Sequence, residues 1–141
     1  MRGIDRALVD EVWRETASYP PGRIDEEARG FLAHQPHVAA FAHALTREQD
    51  PVVQRAALGL CFLLLKVLER SLGRPFPMLA PERLRSAHES ALGAPGEQPL
   101  AAYIVSVFYG DAAERCDERV RAGFVLMLRT LTAALDVEAI G

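Results

Sequence analysis

Hydrophobic residues recur at intervals of three and four along nearly the whole of this 141-residue chain. Ile4, Leu8, Val9, Val12 and Trp13 form one stripe, so residues 4–16 are predicted to be an amphipathic helix. Ser-Tyr-Pro-Pro-Gly at 18–22 is expected to stop it. Ile24, Ala28, Phe31 and Leu32 predict a shorter helix over about 24–34, with Asp25, Glu26 and Glu27 near its positive end. Pro36 opens the next helix, because proline in the first turn forfeits no hydrogen bond. Asp50-Pro51 combines an N-cap with a first-turn proline and starts a long helix, which should run to Leu72 and end on a left-handed Gly73. After the stiff connector Arg74-Pro75-Phe76-Pro77, Pro81 opens a helix that Gly93 closes, with Leu84, His88, Ala91 and Leu92 on one face. Pro99 opens another, ending near Tyr109-Gly110, and Asp117 precedes a last long helix reaching about Val137. The pattern is all-α: one domain over 1–141, a compact helical bundle of about seven helices.

The chain also echoes itself. HQPHVAAFAHAL at 34–45 and EQPLAAYIVSVF at 97–108 each carry Gln-Pro followed by Ala-Ala-aromatic. With one residue deleted after the first Gln-Pro, Val38, Phe41, Ala42 and Leu45 align with Leu100, Tyr103, Ile104 and Val107. The long helices align without gaps, Val53, Ala57, Leu60, Cys61, Leu64 and Leu68 lying over Val120, Phe124, Met127, Leu128, Leu131 and Leu135, with Asp50 over Asp117. Apolar spacing alone is shared by any two amphipathic helices; the common order of the elements is what points to an internal duplication. The expected repeats cover about 24–72 and 81–137, arranged with pseudo-twofold symmetry, and residues 4–16 form an additional N-terminal helix. Two copies are too few for a solenoid.

Composition narrows the class. Half the residues are hydrophobic and a quarter charged, ordinary for a globular domain large enough to bury a core. Fifteen of the sixteen basic residues are Arg, yet nineteen acidic residues are interspersed and the net charge is −3, which argues against a nucleic-acid partner. Cys61 and Cys116 are not in a CxxC arrangement, and the N-terminus lacks the apolar core of a signal peptide. The most apolar run, AALGLCFLLL at 56–65, lies between Arg55 and Lys66 and falls short of the roughly 20 residues of a membrane span. A cytoplasmic protein with no membrane partner is expected.

Candidate chemistry is sparse. Proline explains the helix starts, but Gln is not a favoured N-cap, so Gln35 and Gln98 need another role. Either each amide satisfies backbone where helices meet at a sharp turn, which is the preferred reading, or the two converge and line a polar ligand pocket with His37 and Tyr103. His34, His37 and His43 form H-x2-H-x5-H, a weak metal alternative because no Cys, Asp or Glu completes four ligands at a recognisable spacing. His88 reads as a boundary residue, and Arg115 beside Cys116 is a poor case for a reactive thiolate. Phosphate loops, nucleophile elbows and zincin patterns are absent, so no cofactor is implied and no enzyme is supported.

The long helix adds a candidate interface. Arg55, Gly59, Phe62 and Lys66 share the face opposite the Leu60, Leu64 and Leu68 seam, and Gly59 with Phe62 interrupts its charge. Glycine allows close backbone approach and the aromatic supplies area, so either another helix of this chain or a second chain covers that spot. The expectation is therefore a non-catalytic interaction or structural module, with a protein partner or self-association as a homodimer. The alternative is a small-molecule-binding protein or enzyme with a pocket between the repeats.

Overall fold

A computed structural model describes residues 5–93, 99–109 and 117–140, with the side chains of 99, 100, 109 and 136–140 excepted. These residues form seven helices and no strand: α1 (Arg6–Ala17), α2 (Pro21–His34), α3 (Pro36–Leu45), α4 (Pro51–Leu72), α5 (Pro81–Gly93), α6 (Pro99–Tyr109) and α7 (Glu118–Ile140). The helices sit where the apolar periodicity puts them, with two boundaries shifted by three residues: α7 runs on to Ile140 rather than ending at about Val137, and α2 starts early. Pro-Pro-Gly does not merely end α1. Pro20, extended at φ −66° and ψ 156°, stands before Pro21, which takes the first position of α2, so that helix begins three residues earlier than its apolar stripe suggested.

The caps explain the other ends. Asp5 accepts from the Leu8 amide at 2.9 Å and Asp50 from that of Val53 at 3.2 Å, each satisfying a free first-turn donor. Asp117 does the same for Arg119 at 2.7 Å. Gly73 ends α4 in the left-handed region at φ 75°, its amide donating to the Glu69 carbonyl at 2.8 Å. Between α3 and α4, the Gln54 amide nitrogen faces the carbonyls of Thr46, Arg47 and Gln49 at 3.1–3.3 Å and ties the loop to the helix that follows.

The core is organised around α4. Its length and composition would suit a membrane span, but α1, α3, α6 and α7 pack around it. Leu60, Cys61 and Leu64 are inaccessible and Leu68 nearly so; facing them, Phe124, Met127, Leu128, Leu131 and Leu135 of α7 are buried too. The Cys61 Sγ lies 3.7 Å from the Met127 Sδ, where the two long helices touch. α5 packs along α7, and α1 lies across α4 and α6.

α2 is the exception. None of its fourteen residues is buried, and Ile24 and Leu32 keep 49% and 47% of their surface exposed. Leu92, placed by its spacing on the inner face of α5, is exposed as well, while Leu84, two turns earlier on that face, is buried.

Candidate functional site

α2 lies beside the outer face of α4, and the space between them is an open groove of about 760 Å³, closed at one end by the connector at Pro75 and Phe76. Few contacts hold α2 there. The Phe31 ring meets Phe62 edge-on at 6.0 Å between centroids, and Glu27 pairs with the Lys66 Nζ at 3.0 Å. Lys66 also stands 5.5 Å from the Phe62 ring centre, and Arg23 reaches Glu27 at 3.8 Å while lying over the Tyr19 ring at 4.1 Å. The charges in the groove thus largely neutralise one another, leaving an aromatic floor of Phe31, Phe62 and Phe76.

The four residues of the candidate interface on α4 have different surroundings. Arg55 is exposed. Gly59 is covered from within: a Cβ there would sit 2.9 Å from the Phe108 ring of α6, so only glycine lets that ring approach. Phe108 in turn packs against Trp13 of α1 at 5.7 Å. Phe62 and Lys66 face the groove under α2.

Gln35 is 4% exposed and its amide is engaged at both ends. Its Nε2 donates to the Pro77 carbonyl at 2.9 Å, and its Oε1 accepts from the Leu79 amide at 3.1 Å. The backbone it satisfies belongs to the connector more than forty residues on, rather than to the turn between α2 and α3. Tyr103 is held elsewhere: its hydroxyl donates to the Asp10 Oδ1 at 2.6 Å, and the Arg6 guanidinium lies 4.9 Å over its ring. Hydrogen bonding to the Asp10 carboxylate, ahead of desolvation, raises the Tyr103 pKa. Gln35 and Tyr103 therefore serve different junctions. Ile4, Gln98, Arg115 and Cys116 lie outside the described residues.

The histidines do not form a cluster. His34 ends α2 at the groove, His37 is half-buried in the first turn of α3, and His43 is exposed in its last. Among the described residues, no three His, Cys, Asp or Glu side chains come together to hold a metal ion. His88 packs edge-on to Phe41 at 5.4 Å, and its Nδ1 lies 3.4 Å from the Thr130 hydroxyl, which donates to the Leu126 carbonyl. Burial pushes the Cys61 thiol up to about 12, so it stays protonated and is no nucleophile.

Sequence reasoning missed two features: that the apolar stripe of α2 stays open to solvent, and that Gln54 clips a loop. Amphipathic spacing marks a face to be covered without saying what covers it. No protein-family model, curated protein or solved structure matches the chain.

Proposed function

We propose that this chain is a non-catalytic helical interaction module whose contact element is α2. The observation that carries the reading is that a fourteen-residue helix buries none of its own residues and leaves Ile24 and Leu32 half in solvent, while six other helices supply a closed core. An apolar helix face kept open at the surface is a recurrent means of binding another protein. The partner is a protein rather than nucleic acid, membrane or cofactor, in a cytoplasmic setting. A ligand pocket built on Gln35 gains no support, because both ends of its amide are spent on the connector. The reading is tested by a photo-cross-linking residue placed at Ala28 in cells. Discrete protein adducts are expected at Ala28 and not at the exposed Glu89 of α5, and equal labelling at both positions would overturn the reading.

The same proposal takes the bundle as an internal duplication with pseudo-twofold symmetry, in modified form. The packing supports matching α1, α3 and α4 with α5, α6 and α7. α3 lies against α7 and α5, as α6 lies against α4 and α1; α5 packs on α7, as α1 packs on α4. The two Ala-Ala-aromatic segments fit this pairing, since Phe41 of α3 meets His88 of α5 and Tyr103 of α6 meets Asp10 of α1. On this view α1 belongs inside the repeat, and α2 rather than α1 is the added helix, which agrees with its lack of buried residues. A crystal structure in which α2–α4 superposed on α5–α7 more closely than α1, α3 and α4 do would return the repeat to its sequence-based limits.

A further inference from the structure

The outer face of α2 reads the same in both directions. Ile24, Ala28 and Leu32 are spaced by four, with a small residue midway between two large ones, and all three are exposed. Leu32 lies one turn before Gln35, whose amide grips the backbone on either side of Met78, itself 54% exposed. Asp25 and Arg29 flank the stripe on the edge turned away from the groove. Both are exposed, and neither makes an ion pair among the described residues.

A second α2 laid antiparallel across a twofold axis at Ala28 fits this pattern. With a rise of about 1.5 Å per residue, Ile24 then comes level with Leu32 of the second copy, and the two alanines let the backbones approach closely at the crossing. Asp25 falls within about 3 Å along the axis of Arg29 of the second copy, and the pair occurs twice by symmetry. In a parallel arrangement, by contrast, the twofold puts Arg29 of the second copy on the opposite edge of the contact, where Asp25 cannot pair with it. From this charge self-complementarity we propose that the partner of α2 is a second copy of the same chain, docked antiparallel through Ile24, Ala28 and Leu32 with Asp25 and Arg29 pairing across the axis. This rests on the reading of α2 as the contact element. The contact is small for a stable dimer, whose partners each give up about 800 Å², so the association is weak and reversible.

Sedimentation velocity of the full chain from roughly 10 µM to 1 mM brackets the affinity of so small an interface. The mean mass is expected to rise from 15.5 kDa toward twice that value. Asp25→Arg should move the transition to at least roughly tenfold higher concentration, since two attractions become two repulsions. Asp25→Arg combined with Arg29→Asp should bring it back, with melting temperatures showing all variants folded. Ala28→Cys, in a Cys116→Ser background, should oxidise to a disulfide-linked dimer. A wild-type dimer that ignores Asp25→Arg, or that the charge swap fails to rescue, overturns the antiparallel pairing and leaves the contact helix standing. A chain that stays at 15.5 kDa throughout and forms no Ala28→Cys dimer overturns self-association. In that case, adducts of other masses at Ala28 would show that the interaction reading survives without it.

Discussion

α2 and α4 are both amphipathic helices opened by proline, and they lie side by side, yet ten residues of α4 are buried and none of α2. The difference is one of neighbours. α4 is enclosed by four helices, so most of its turns find apolar partners, whereas α2 rests on the core through Phe31 and is otherwise held by one ring contact, a few charges and the Gln35 amide at its end. Apolar spacing alone does not make a residue structural. Ile24 and Leu32 have the spacing of core positions without the surroundings.

The sharpest way to break this contrast is truncation. Leu64→Ala and Leu131→Ala should each cost about 2–5 kcal/mol, as deletions in a filled core do, while Leu32→Ala should stay within about 0.5 kcal/mol. Urea denaturation of the three variants checks this, and a Leu32→Ala loss equal to that of Leu64→Ala would erase the distinction. Gln35→Ala comes next, at about 1–3 kcal/mol, because it strands the buried Leu79 amide and leaves the part-buried Pro77 carbonyl without its donor. A neutral result in the same assay would mean that water replaces the amide and that the connector is not pinned.

Glycine offers a matched pair. Gly30 of α2 has nothing within 4 Å of a new Cβ, so Gly30→Ala should gain up to about 1 kcal/mol from helix propensity. Gly59→Ala makes the same gain but must displace the Phe108 ring, and overpacking of about 1–3 kcal/mol should leave a net loss. Thermal melts that moved in the same direction for both would show that Phe108 yields freely.

The smallest effect is at the rim. Glu15 of α1 accepts a 2.7 Å hydrogen bond from Arg70 of α4, and that bond, against opposing desolvation, lowers its pKa from 4.5. A carboxylate with a depressed folded pKa stabilises the fold above its unfolded pKa and loses that contribution as pH falls through the folded value. Glu15→Gln should therefore cost no more than about 1 kcal/mol at neutral pH, both partners being over a third exposed. Measured in urea at descending pH, the penalty should shrink below pH 4.5 and vanish once Glu15 is protonated in the folded chain.

Much of the fold was legible because its signals are local. Asp50-Pro51 and Gly73 bound α4 through interactions within a few residues, and the Leu60, Leu64 and Leu68 seam follows from helical period alone. Pro21 was misread because proline both ends one helix and starts the next, and only the backbone after Pro20 decides between them. The candidate site was less legible. Gln35 was singled out by its odd place before proline, but its partners at Pro77 and Leu79 are fixed by how the connector folds back, which no local spacing encodes. The same holds for Tyr103 and Asp10, and for the ring that covers Gly59.

Cys61 sits where α4 and α7 meet, sealed from solvent and beside Met127. A thiol reagent reaches it only when those helices part, so in a Cys116→Ser chain the labelling rate becomes a native clock for opening of the bundle. Loosening α2 should leave that clock unchanged, because α2 can leave α4 without uncovering the sulfur, whereas Leu131→Ala should speed it up. One buried atom thus times the opening of the core separately from the motion of the helix beside it.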